Sequence, residues 1–155
     1  MTLAVGQPAP DVSLPTDGGG HVSLSDLAGK AVVLYFYPKD DTSGCTKEAV
    51  AFKNALGDFE AAGAVIVGVS KDPVTKHDTF KAKYDLPFTL ASDADGDVCE
   101  RYGVWKEKSM YGKTYMGIER TTVLIDGAGV VRHVWPKVKV PGHAEAVLEA
   151  VRGLG

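Results

Sequence analysis

The chain has 155 residues, 45% of them hydrophobic and 24% charged, which is ordinary for a globular protein and long enough for one domain, expected over 1–155, with a core of its own. A formal net charge of -3, with lysines and arginines spread along the chain, offers no field for nucleic acid, so no nucleic-acid partner is expected. No stretch approaches the ~18 apolar residues of a spanning helix, and Met1–Gly6 lacks the basic and apolar segments of a signal peptide, so a cytoplasmic protein with no membrane contact is expected.

Asp11–Leu14 and His21–Leu24 flank the glycine run Gly18–Gly20 and predict a short N-terminal β-hairpin. Ser25–Lys30 reads as a capped helical turn ended by Gly29. Ala31–Phe36 is a continuous apolar run, the pattern of a strand covered on both faces, and Pro38 with the polar residues after it ends the strand. From Cys45 onward Ala49, Phe52, Leu56 and Phe59 recur at spacings of three and four, which predicts a helix to about Ala62 with Gly63 as its stop signal. Ala64–Ser70 is a second buried strand. Strand, helix, strand in this order implies a right-handed parallel crossover and puts Cys45 at the C-terminal edge of the sheet, where open α/β sheets gather their reactive groups.

A helix from about Pro73 to Tyr84 then leads to a short strand at Phe88–Ala91. Asp93–Asp97 is acidic but lacks the glutamate that closes an EF-hand loop, so it reads as a turn capping a short helix from Asp97 to about Tyr102, and no metal is expected. Val104–Trp105 starts a short strand, and Lys106–Glu119 reads as an irregular glycine-containing loop. Thr121–Asp126 and Val130–Trp135, joined by Gly127–Gly129, read as a hairpin. A closing helix spans about His143 to Val151, with Ala146, Val147, Ala150 and Val151 facing inward. The sum is an α/β fold: a mixed central β-sheet flanked by helices, with an N-terminal β-hairpin.

Cys45 is the residue with chemistry. A cysteine in the first turn of a helix faces unpaired N–H groups and the positive end of the macrodipole, both of which favour thiolate over thiol. A free cysteine of pKa about 8.5 is only a few per cent thiolate near neutrality, so a downward shift of one unit raises the reactive form about tenfold. Its neighbours Thr42, Ser43, Gly44, Thr46 and Lys47 are polar or small, which suits a reactive thiol better than a buried packing residue. Cys45 and Cys99 make no disulfide framework and, with no histidine near them in sequence, no zinc site. The histidines His21, His77, His133 and His143 are scattered, and none is placed as a base for Cys45.

The run Tyr35-Phe36-Tyr37-Pro38-Lys39-Asp40-Asp41-Thr42-Ser43-Gly44-Cys45-Thr46 resembles the active-site signature of peroxiredoxins, whose fixed points are the proline, the threonine and the cysteine. Val104-Trp105, Gly112 to Arg120 and Lys137 to Ala144 further resemble the bacterioferritin comigratory protein, or peroxiredoxin Q, branch of that family. The resemblance spans almost the whole chain. It implies a thioredoxin-like fold, no cofactor, and thiol-dependent reduction of hydrogen peroxide and organic hydroperoxides by a chain that is often monomeric.

By that resemblance Cys45 is the peroxidatic cysteine, oxidised to a sulfenic acid. Arg120 supplies a fixed cation, Thr42 a hydroxyl for the peroxide, and Pro38 shapes the pocket. Glu48, one turn after Cys45, either orients the arginine or complements the helix macrodipole. Two positions depart from the branch pattern. Val50 stands where many members carry a resolving cysteine, and Ser43 replaces a usual proline. Cys99 is then the one candidate for an internal disulfide, and a small buried packing residue is the competing reading. The expectation is a one-cysteine cycle recycled by thioredoxin, glutaredoxin or glutathione. Two other readings stay open. One is a thiol-disulfide exchange protein, although Cys45 lacks a C-x-x-C partner; the other is a non-enzymatic redox sensor or holdase.

Overall fold

Ala31–Phe36 (β3) and Ala64–Ser70 (β4) pair in parallel, in register from Ala31 with Ala64 to Phe36 with Val69, at the centre of a five-stranded sheet. This computed structural model describes residues 3–154; Met1, Thr2 and Gly155, which belong to the stretch read for a targeting signal and to the expected domain, lie outside them. Thr89–Ser92 (β5) extends the sheet in parallel beside β4. Thr121–Ile125 (β8) and Val131–Trp135 (β9) extend it antiparallel on the other side of β3, giving the order β5-β4-β3-β8-β9. The mixed sheet follows from chain order: β3 and β4 are joined by a long helix, as parallel strands require, whereas β8 and β9 are joined by a tight Gly127–Gly129 turn.

The side-chain alternation of β3 builds two cores. Val33, Tyr35 and Tyr37 enter one together with Ala49, Phe52 and Phe59 of Ser43–Ala61 (α1), Phe80 of Val74–Tyr84 (α2) and Val147, Leu148 and Val151 of His143–Arg152 (α4). Val32, Leu34 and Phe36 enter the other, with Val98 and Cys99 of the short helix Val98–Arg101 (α3) and with Val12 and Leu14 of the N-terminal segment. Phe52 and Phe59 are fully buried, and truncating either to alanine is expected to cost about 3–5 kcal/mol. Among the described residues no helix is long and apolar enough to cross a membrane.

The expected N-terminal hairpin forms from Ser13–Pro15 (β1) and His21–Ser23 (β2), closed by a short 3-10 turn at Asp17–Gly19. The helix after Cys45 begins two residues earlier than that cysteine and ends before Gly63, which takes φ +80. Two expectations are corrected. Lys106–Glu119 is no irregular loop: Trp105–Met110 (β6) and Lys113–Ile118 (β7) pair antiparallel around a two-residue turn, Tyr111 at φ 52 and Gly112 at φ 77. Positive φ at both central residues is the backbone that matches the twist of the flanking strands. Along this ribbon only Ile118 is buried, so no apolar alternation marks it in the sequence. On α4, Ala146 faces solvent, and the inward stripe runs through Ala144, Val147, Leu148 and Val151.

Candidate active site

Two stretches that are far apart in sequence, 37–48 and 105–120, meet at the C-terminal edge of the parallel strands. The loop after β3 supplies Pro38 and Thr42, the first turns of α1 supply Cys45 and Glu48, the link from β7 to β8 supplies Arg120, and the β6–β7 hairpin forms a facing wall. Cys45 is 2% exposed. Arg120 spans the site: Nη2 donates to Sγ of Cys45 at 3.3 Å, and Nη1 donates to Oε1 of Glu48 at 2.7 Å. Cys45 and Glu48 lie three residues apart on one face of α1, so a single guanidinium fork reaches both. Gly44 leaves room for that fork, since a Cβ there would stand 3.1 Å from Nη2.

Thr42 is the N-cap residue of α1, yet its hydroxyl donates to the carbonyl of Lys39 at 2.9 Å and makes no cap bond to the helix. The first-turn N–H groups of α1 are therefore left to face whatever anion the site holds. With its proton committed to Lys39, the Thr42 oxygen is directed to accept. Pro38, Lys39 and Thr42 line a groove of about 530 Å³ together with Lys71 and Asp72 after β4 and with the hairpin from Trp105 to Ile118.

Burial dominates the electrostatics. Glu48 is 1% exposed, and burial pushes its carboxyl up to about 7 against the pull of Arg120. Burial alone would lower Arg120, but the charges of Glu48 and Cys45 raise it above its ordinary value, so the guanidinium stays charged. Lys108 is lowered, first by burial and then by repulsion from Arg120. His143 is held down to about 4 by burial and Arg120, and the neutral ring meets Thr122 Oγ1 at 2.7 Å. Among the described residues, Oε2 of Glu48 and Oη of Tyr35 are buried side-chain oxygens without a hydrogen-bond partner.

Cys99 is not brought to this site. It lies in the core on the opposite face of the sheet from Cys45, 0% exposed, and both cysteines are free. Its backbone N–H donates to Asp93 Oδ2 at 2.8 Å, and burial with the Asp93 charge pushes the Cys99 thiol far above its usual range. That is the environment of an inert packing residue.

The AhpC/TSA family profile matches residues 5–134, most of the chain. The chain belongs to the AhpC/TSA family. It is 58% identical over 148 residues to a putative peroxiredoxin Bcp of Coxiella burnetii, covering 96% of this chain and 98% of that one. Its fold is similar to that of a Xanthomonas campestris bacterioferritin comigratory protein studied for alkyl peroxide reduction, with TM-score 0.88, 48% identity, and coverage of 92% and 91% of the two chains. It is also similar to a cysteine-to-serine variant of Xylella fastidiosa PrxQ, with TM-score 0.92, 40% identity, and coverage of 98% and 97%. Within the family the chain thus falls in the peroxiredoxin Bcp/Q branch, and the thioredoxin-like fold expected for it stands.

Sequence reasoning left a second set of buried groups unassigned. Tyr37, Asp40 and His77 form a hydrogen-bonded cluster directly behind the loop that bears Pro38 and Thr42. His77 lies 37 positions from Asp40, and no spacing rule links them; only the fold brings them together.

Proposed function

We propose that this chain, a thiol-dependent peroxidase by its family, works through Cys45 as the single redox cysteine, with Arg120, Thr42, Pro38 and Glu48 as its site. The observation that carries the reading is the Arg120 fork between Cys45 Sγ and Glu48 Oε1. A guanidinium beside the sulfur stabilises negative charge on it, and Glu48 keeps that guanidinium aimed. The thiolate attacks the terminal peroxide oxygen in line with the O–O bond. The S–O bond forms as the O–O bond breaks, the sulfur becomes a sulfenic acid that keeps the hydrogen of the attacked oxygen, and the departing alkoxide or hydroxide takes a proton from solvent to leave as alcohol or water. Charge spreading over the two oxygens is met by Arg120 and by first-turn N–H groups of α1, while the Thr42 oxygen accepts a hydrogen bond from the peroxide O–H. The apolar hairpin wall suits the carbon chain of an organic hydroperoxide.

A first outside thiol then condenses with the sulfenic acid, releasing water, and a second thiol resolves the mixed disulfide. Thioredoxin, glutaredoxin and glutathione are the candidate reductants. Val50 at the branch's usual resolving position and the seating of Cys99 across the sheet both support this one-cysteine cycle. We place the enzyme in the cytoplasm as a monomeric single domain that needs no cofactor, with neither nucleic acid nor membrane as partner. Peroxide consumption with each reductant tests the reading: Cys45→Ser abolishes turnover and Cys99→Ser retains it. Equal loss in both variants would instead point to Cys99 as a resolving thiol, and stoichiometric oxidation without turnover to a sensor.

A further inference from the structure

The loop carrying Pro38 and Thr42 is tied from behind by groups the reaction above does not use. Tyr37 Oη donates to Asp40 Oδ1 at 2.5 Å. The other carboxylate oxygen, Oδ2, lies 2.6 Å from His77 Nδ1, and His77 Nε2 lies 2.9 Å from the carbonyl oxygen of Ala91. The His77 ring is 0% exposed. The backbone N–H of Asp40 donates to Asp72 Oδ2 at 2.8 Å, and the same oxygen accepts from Ser70 Oγ at 2.7 Å. Through one aspartate the loop is thus anchored to α2, to the end of β4 and to β5.

Counting donors shows what protonation the cluster requires. A carbonyl oxygen only accepts, so Nε2 carries a hydrogen. An ionised carboxylate also only accepts, so at 2.6 Å either Nδ1 carries a second hydrogen or the carboxyl keeps its own and donates it to Nδ1. In both arrangements the pair holds one proton more than a neutral imidazole beside a carboxylate. Removing it sets lone pair against lone pair at one of the two contacts, in a buried place where repulsion is poorly screened. The charged and titratable groups facing His77 are Tyr37 and Asp40 from the loop and Asp72 ahead of α2; from β5 only the Ala91 carbonyl meets it. Burial disfavours the imidazolium, but the Asp40 hydrogen bond and charge, the Ala91 carbonyl and the Asp72 charge outweigh burial and raise His77 above its ordinary value. Tyr37 is pushed up by burial first, so it stays a donor.

We propose that His77 is a positioning residue for peroxide reduction: through a proton shared with Asp40 it holds the Pro38–Thr42 loop in place ahead of Cys45, and loss of that proton releases the loop and slows attack on the peroxide. The proposal rests on Cys45 being the attacking thiol.

The test is the second-order rate of oxidation by hydrogen peroxide, followed by stopped flow from pH 6 to 10, alongside NMR titration of 13C-histidine-labelled protein. Asp40→Asn is the informative variant. Asparagine donates to Nδ1 of a neutral ring and still accepts from Tyr37, so it keeps both contacts without the extra proton. The wild-type rate should fall about tenfold or more on the alkaline side, in step with the loss of the shared proton followed at the His77 ring, and Asp40→Asn should flatten that limb. His77→Ala should be slow at every pH. An alkaline limb that survives unchanged in Asp40→Asn, or His77 ring signals that show no titration of the His77–Asp40 pair over the whole range in the wild type, overturns the proposal; the second readout needs no variant to fold. If instead Cys45→Ser keeps consuming peroxide while His77 titrates as described, the Cys45 reading has failed, separately from the loop.

Discussion

The Arg120 nitrogen that reaches Cys45 passes 3.1 Å from where a Cβ of residue 44 would stand, so Gly44 and Arg120 are fitted to each other. Gly44→Ala forces the guanidinium to give by a few tenths of an ångström, in the second residue of α1. The same change favours helix by up to about 1 kcal/mol. The expected outcome is a protein whose urea midpoint is unchanged or higher but whose peroxide rate falls several-fold. Lower stability with unaltered rate would mean that Gly44 serves the helix and not the arginine.

Glu48 and His143 pull stability in opposite directions with pH. Glu48 is raised from 4.5 to about 7 in the fold. Its contribution is therefore complete below the unfolded value and is lost as pH rises through 7, by up to about 3 kcal/mol. His143 is lowered from 6.5 to about 4, so its neutral buried form supports the fold above 6.5 and that support is lost as pH falls toward 4. The two windows overlap, and the wild type should show a shallow profile between them. Glu48→Gln should lose stability on acidification, with His143 unopposed, and His143→Asn should gain it; urea unfolding at pH 5 and pH 7 checks both signs.

The hairpin wall of the groove depends on its turn. Gly112 at φ 77 is a position an L side chain strains to adopt, and Tyr111 at φ 52 is already strained and 97% exposed. Gly112→Ala should cost about 1 kcal/mol locally and raise KM for a bulky organic hydroperoxide while leaving hydrogen peroxide kinetics as they are. Tyr111→Asn, which gives the turn its preferred Asn-Gly pair, should move KM the other way. Equal effects on both substrates would contradict a role of the hairpin in holding the organic group.

These expectations show what can be read from the chain and what cannot. β3, α1 and β4 were legible because each buries its side chains in the pattern its geometry requires: six apolar residues in a row, then a stripe at helical spacing, then another run. The β6–β7 ribbon was not legible, because its pairing is set by a two-residue turn and its side chains stay mostly exposed. Cys45 stands out in sequence by its small and polar neighbours at a helix start, yet those neighbours gave no sign that its side chain is buried. Arg120, 75 positions away, is tied to it only through the family resemblance, since a lone arginine at a strand start looks like surface charge. Glu48 was open between two roles, and its burial with the 2.7 Å bond to Arg120 favours the orienting one. The Asp40–His77 cluster left no local trace, because a fully buried histidine and an exposed one look alike in sequence.

In the proposed mechanism the Arg120 guanidinium, 3.3 Å from Cys45 Sγ, stabilises negative charge on that sulfur. The most direct measurement is the rate of Cys45 alkylation by iodoacetamide against pH, in the Cys99→Ser background, with and without Arg120→Ala. The expected result is alkylation at pH 7 at least tenfold slower in Arg120→Ala than with Arg120 present. Superimposable curves for the two proteins, each rising only where a free thiol ionises, would contradict it.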